Sequence, residues 1–240
     1  KLAPKHPVVL DLLRQVYVAL HDWSELEQLM PLLKRYKIVS GDELKALQDQ
    51  LYRQLLAQAI LPPVGSSSAE DTPAKQEARL KQVWQKLGKE WQQQADFILC
   101  YVELLETVGS GRDMESLLRK ALKKNWDNRL VARYGMINGS EHARQLLHAE
   151  AWAKERPGNA ELLLALGRLS LRNELWGKAR DYFQSSLALQ GSPAVYAELA
   201  RLLAHMGDLK QSTEYYQQGL MLAADGLPKL PMPPGHNAKA

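Results

Sequence analysis

Residues 160–192 read AELLLALGRLSLRNELWGKARDYFQSSLALQGS, and residues 193–225 read PAVYAELARLLAHMGDLKQSTEYYQQGLMLAAD. The two stretches align without a gap. The matched pairs include Gly167 with Ala200, Arg168 with Arg201, Ala179 with Ser212, Phe183 with Tyr216 and Ser186 with Gly219. A unit of this length cannot cover its own apolar face, so consecutive copies stack on one another. The stretch therefore predicts a repeat architecture.

The composition predicts that these repeats are helical. The chain has 43 Leu but only 18 Val, Ile and Thr together. Leu favours helices, whereas β-branched residues favour strands. A period of 33 residues in a helical chain is typical of the tetratricopeptide helix–turn–helix unit. We therefore predict an all-α protein, an α-solenoid of tetratricopeptide-like helix pairs. The small residues Gly167 and Ala179 should lie where the two helices of one unit touch.

Weaker copies lie upstream, at residues 7–36 and 95–127, and residues 128–157 fit less well. We expect twelve helices, bounded by caps and by Gly or Pro turns. Ser40 with Glu43 has capping-box spacing, and Ser24 is the expected N-cap of the second helix. The domain prediction has four parts: an N-terminal helical part at 1–60, a flexible loop at 61–74, a tetratricopeptide-like solenoid at 75–225 and a disordered tail at 226–240.

Several functional classes are a poor fit to the residues. Cys100 is the only cysteine, which excludes a disulfide scaffold and a zinc site of the cysteine type. No catalytic motif appears, so we predict no catalytic residues, no metal ligands and no enzyme. The net charge of +4 comes from charges of mixed sign, which does not favour nucleic acid. The sequence has no run of about 18 apolar residues, the length that would predict a membrane span.

The candidate binding residues are Arg168, Arg172, Arg201 and His205. Each pair is spaced by four on the first helix of a repeat, and Arg168 and Arg201 are equivalent by the repeat shift. We expect the four side chains to converge on the concave side as a basic groove that captures carboxylates. The alternative is a solvated stripe balanced by acids such as Glu161 and Glu198.

Two other residue types have alternative interpretations. A haem iron could take one axial ligand from His142, His148, His205 or Cys100. Residues of these types more often have an ordinary role in packing or at the surface. Of the six tryptophans, Trp23, Trp126 and Trp176 are expected to pack beneath turns between helices. Trp84 or Trp91 could instead anchor a partner.

Three further segments carry a family resemblance. They are Trp23-Ser24-Glu25-Leu26, Lys123-Lys124-Asn125-Trp126-Asp127 followed by Tyr134-Gly135, and Leu166-Gly167-Arg168-Leu169 followed by Trp176-Gly177-Lys178-Ala179-Arg180. Together with Tyr196-Ala197-Glu198-Leu199-Ala200, they resemble the HemY family over nearly all of residues 6–225.

That resemblance implies a non-enzymatic tetratricopeptide scaffold linked with a late step of protohaem synthesis. It implies an inner-membrane anchor, an N-terminal hydrophobic hairpin that this chain does not contain, with the repeat part on the cytoplasmic side. The expected partners are haem-biosynthesis enzymes. The alternative function is a porphyrin or haem carrier whose basic groove holds the propionates; otherwise no cofactor is expected.

Overall fold

The computed structural model describes residues 6–63, 71–110, 113–139 and 141–224. Helices account for 79% of these residues, and none of them forms a strand. The all-α prediction is therefore confirmed for the described part of the chain. None of the helices in this part is long and apolar enough to cross a membrane.

The described residues form thirteen helices. They are α1 (Pro7–Ala19), α2 (Trp23–Arg35), α3 (Gly41–Ala59), α4 (Pro73–Lys86), α5 (Lys89–Gln92), α6 (Ala95–Thr107), α7 (Met114–Lys124), α8 (Asn128–Met136), α9 (His142–Glu155), α10 (Ala160–Arg172), α11 (Trp176–Leu189), α12 (Pro193–His205) and α13 (Leu209–Ala223). The sequence predicted all of these except the short α5.

The helix N-termini test two of the cap predictions. Ser40 and Glu43 form the predicted capping box at the start of α3. The prediction for Ser24 was wrong, because the carboxylate of Asp22 accepts the hydrogen bond from the Glu25 amide instead. Asp22 is also an acceptable N-cap residue, and the chain enters the helix two residues earlier than expected.

The chain divides into two compact units, one up to Leu130 and the other from Val131 onward. In the first unit, α1 packs on α2, α2 on α3, and α3 on both α4 and α6. One apolar cluster of this unit joins α1, α2 and α3 around Leu26, Leu33 and Leu51. In the second unit, α9 packs on α10, α10 on α11, α11 on α12 and α12 on α13. This serial packing is that of a helical solenoid.

Five turns repeat the same backbone geometry, four of them between the two helices of a repeat and one after α2. The residue after the helix C-cap has a positive φ of 55° at His21, 51° at Lys37, 75° at Gly109, 59° at Glu174 and 90° at Gly207. At each, the following amide donates to a carbonyl five residues back, as from Leu175 to Ser170 and from Asp208 to Leu203. This is a Schellman turn. Its recurrence supports the upstream copies at 7–36 and 95–127 as units of the same kind.

Small residues let the helices of a repeat approach closely, as the alignment predicted. A Cβ on Gly167 would lie 2.2 Å from Cε1 of Phe183, so the ring occupies the space that a side chain would take. Ala179 is fully buried in the same cluster as Phe183 and Leu199. The equivalent contact in the next copy differs, because Ala200 replaces Gly167 and Tyr216 is 47% exposed.

The predicted loop and tail fall largely outside the described residues. Residues 64–70 of the 61–74 loop and all of the 226–240 tail lie outside them. Of the rest of the loop, residues 61–63 and 71–72 are not helical, and α4 begins at Pro73. The helices on either side of this loop, α3 and α4, belong to the same unit.

Candidate functional site

The candidate residues occupy the C-terminal halves of α10 and α12, the first helices of two neighbouring repeats. A spacing of four places both residues of each helix on one face. The helices are held in register by the core around Phe183 and Val195. Both helices begin at polar N-caps, where the side chains of Asn159 and Ser192 accept amide hydrogen bonds.

One carboxylate joins the two equivalent arginines. Arg168 Nε donates to Glu198 Oε1 at 3.0 Å, and Arg201 Nη2 donates to Glu198 Oε2. The side chains of Arg168 and Glu198 are only 15% and 16% exposed, whereas that of Arg201 is 58% exposed. Arg168 is therefore mainly a structural partner of Glu198. Arg201 keeps guanidinium surface available to another group.

Arg172 has a different role from the one its spacing suggests. Its guanidinium donates to the carbonyl oxygen of Gly135 at 2.7 Å and to that of Met136. These carbonyls end α8, where the helix has no internal donors for them. Burial, and then the nearby charge of Arg168, lower the pKa of this guanidinium, although it remains a cation. Arg172 thus ties α8 to α10.

The three arginines nevertheless line one pocket. The basic pocket, as we call it, has a volume of about 230 Å³ and is lined by Met136, Arg168, Leu171, Arg172, Glu198 and Arg201. Three guanidinium groups face one carboxylate in this lining, which leaves a net charge of +2. Burial raises the pKa of the Glu161 carboxyl, against the opposing effect of the Arg168 charge.

A second pocket adjoins the first and shares Leu171 and Arg201 with it. The apolar pocket has a volume of about 520 Å³ and is lined by Leu171, Trp176, Arg201, Leu202, His205 and Met206. His205 is exposed at its edge. The structure therefore brings all four predicted residues to two adjoining pockets. Arg168 and Arg172 line the basic pocket, His205 lines the apolar pocket, and Arg201 lines both.

Sequence reasoning missed the apolar half of this site. Trp176 was expected to pack beneath a turn, but it is 48% exposed, and Met206 is 47% exposed. Trp176 is the first residue of α11, and Met206 is the C-cap of α12, so both flank Schellman turns. In the sequence, only the position of these large apolar residues beside predicted turns could have indicated this part of the site. Their exposure depends on the neighbouring repeat and could not be predicted.

The other sequence candidates lie elsewhere. Trp84 and Trp91 are 9% and 6% exposed, so the hypothesis that one of them anchors a partner was wrong. Trp84 instead stacks on Tyr101 with a ring separation of 4.2 Å. Burial raises the pKa of the Cys100 thiol, which disfavours the thiolate that an iron would need. Among the described residues, no group of three or more His, Cys, Asp or Glu could hold a metal ion.

Known proteins resemble this chain at low sequence identity. The chain is 22% identical over 231 residues, 95% of its length, to "Protein HemY" of Escherichia coli strain K12. The same values hold for Protein HemY of Shigella flexneri. Over nearly its whole length, the chain is similar to HemY. The chain spans about half the length of these relatives, 54% in each case. No family model matches it.

Solved structures give weaker likenesses. MamA from Desulfovibrio magneticus RS-1 has a TM-score of 0.43 at 16% identity, with 75% of this chain and 97% of that chain covered. The Cut9-Hcn1 hetero-tetramer structure has a TM-score of 0.40 at 17% identity, with 87% and 44% covered. The tetratricopeptide-like fold assigned above rests instead on the helix order and repeated turns of this chain.

Proposed function

We propose that this chain is a non-enzymatic tetratricopeptide scaffold that binds an acidic segment of a partner protein at the basic pocket. The observation that carries the proposal is the lining of that pocket, in which three guanidinium groups stand against a single carboxylate that pairs with only two of them. Such a surface attracts carboxylates and raises the rate of association with acidic partners. Of the three arginines, Arg201 is the group with most surface left for a partner.

The likeness to HemY supports a more specific context. In this proposal the partners are enzymes of a late step of protohaem synthesis, and the scaffold works at the inner membrane, with its repeats on the cytoplasmic side.

The test is binding of the full chain to a panel of purified haem-synthesis enzymes, measured by surface plasmon resonance. Arg201→Gln should weaken binding about tenfold at low salt, and the difference from the parent should shrink as salt rises. Lys120→Gln is the matched control, because it removes one exposed positive charge from α7 in the other unit. Equal binding by the parent and Arg201→Gln at low salt, or equal losses in both variants, would refute the proposed site.

The alternative function, a porphyrin or haem carrier, has one observation in its favour. The apolar pocket combines apolar walls with a cationic edge at Arg201 and an imidazole at His205. Apolar walls suit a macrocycle, Arg201 suits a propionate, and His205 is of the residue type that serves as an axial ligand. A haem titration followed by Soret absorbance tests it: a saturable shift that is lost in His205→Ala supports a carrier.

A further inference from the structure

The apolar pocket contains large apolar side chains that the fold leaves partly exposed to solvent. Trp176 and Met206 are each nearly half exposed and lie in one pocket with Leu171 and Leu202. Exposed aromatic and Met side chains gathered in a concave site are typical of a binding surface, and tryptophan is enriched among the residues that dominate binding free energy. The core of this repeat pair does not include Trp176, because it is built around Phe183 and Leu199.

The charged edge of the pocket limits what can occupy it. Arg201 lines both pockets, and His205 is exposed beside it. An apolar surface from a basic partner would be repelled here, whereas one flanked by carboxylates would gain hydrogen bonds from Arg201. Since one arginine borders both pockets, an apolar side chain in one and a carboxylate in the other must lie close together on the partner.

We infer that the apolar pocket seats one large apolar side chain of the partner, next to the carboxylates held at the basic pocket. This inference rests on the proposed function and adds the chemistry of its partner. The recognised element is a short acidic segment that contains a large apolar residue. The pocket volume of about 520 Å³ gives ample room, because it lies within the range of pockets that enclose whole small ligands.

The experiment selects short peptides from a random library displayed on phage, with the full chain as bait at low salt. Enriched peptides should combine Asp or Glu with a Leu, Phe or Trp. A fluorescein-labelled copy of the best peptide is then titrated by anisotropy against the parent and against Trp176→Ala and Arg201→Gln. We expect each variant to bind at least about tenfold more weakly.

The control variant is Leu189→Ala, which truncates another exposed apolar residue of α11, 52% exposed and outside both pockets. It should bind within about twofold of the parent. Far-UV circular dichroism of every variant checks that the helices are intact. A second check replaces the large apolar residue of the peptide by Ser. This peptide should bind the parent about as weakly as the original peptide binds Trp176→Ala. Combining the Ser peptide with Trp176→Ala should weaken binding little further.

The outcomes separate the two ideas. Acidic peptides that depend on Arg201 but not on Trp176 would leave the proposed function standing and overturn the apolar anchor. Absence of enriched acidic peptides, or enrichment of basic ones, would overturn both. Tight binding of protoporphyrin that depends on Trp176 and displaces the peptide would assign the pocket to a small ligand instead.

Discussion

Gly167→Ala tests the helix contact on which the repeat depends. The added Cβ would lie 2.2 Å from Cε1 and 2.4 Å from Cδ1 of Phe183, far inside ordinary contact distance, and Phe183 is fully buried. The ring therefore cannot move into solvent. Overpacking of this kind costs up to about 3 kcal/mol. Since Ala is favoured over Gly in a helix by about 1 kcal/mol, we expect a net loss of about 2 kcal/mol.

The assay is urea unfolding followed by circular dichroism. With a slope near 2 kcal/mol/M, the midpoint should fall by about 1 M. Gly177→Ala is the control, because its Cβ meets nothing within 4 Å; it should be neutral or stabilising by up to about 1 kcal/mol. Phe183→Leu removes most of the ring, so Gly167→Ala should cost at least about 1 kcal/mol less in that background. An unchanged midpoint for Gly167→Ala, or an equal cost in both backgrounds, would refute this packing.

Three other features have expected outcomes: the Arg172 contact, the turns with positive φ and the Cys100 thiol. Arg172→Met should lower the free energy of unfolding by about 1.5–3 kcal/mol, because the final carbonyls of α8 lose a charged donor; an unchanged urea midpoint would contradict that role. Glu174→Gly should raise thermal stability by up to about 1 kcal/mol and Gly207→Ala should lower it by a similar amount, since both sites have positive φ; calorimetry that finds the opposite signs would contradict the turn assignment. Cys100 should react with iodoacetamide at a pH midpoint above that of free cysteine, because burial raises its thiol pKa. The contribution of the protonated Cys100 thiol to the free energy of unfolding is complete below the thiol pKa of the unfolded chain. It is lost as the pH rises through the higher pKa of the folded protein. A reaction midpoint equal to that of free cysteine would contradict burial of the thiol.

Helix positions could be predicted because their determinants are local. The spacing of Leu residues and the Gly and Pro turns located twelve of the helices to within a few residues. The 33-residue shift also predicted the close packing at Gly167 and Ala179, since equivalent positions in stacked repeats have equivalent neighbours. The short α5 escaped because four residues carry no periodicity.

Charge pairing at the candidate site was only partly predictable. Glu198 lies three residues before Arg201 on the same helix face, so their ion pair is visible in the sequence. Arg168 lies 30 residues from Glu198 in the sequence, and the two side chains meet only because α10 and α12 belong to adjoining repeats. Arg172 was expected in the groove as a free cation, but its partners are backbone carbonyls of Gly135 and Met136, which have no side-chain signature.

The sequence by itself determined the helical class, the repeat and the set of cationic residues on one face, because each depends on spacing along a single helix or on comparison of two copies. Only the tertiary structure decided which of these residues have free surface. Arg168 is covered by Glu198, whereas Arg201 and Trp176 stay accessible beside a pocket. Exposure is a property of what packs over a side chain, and for a residue beside a turn that neighbour comes from the next repeat.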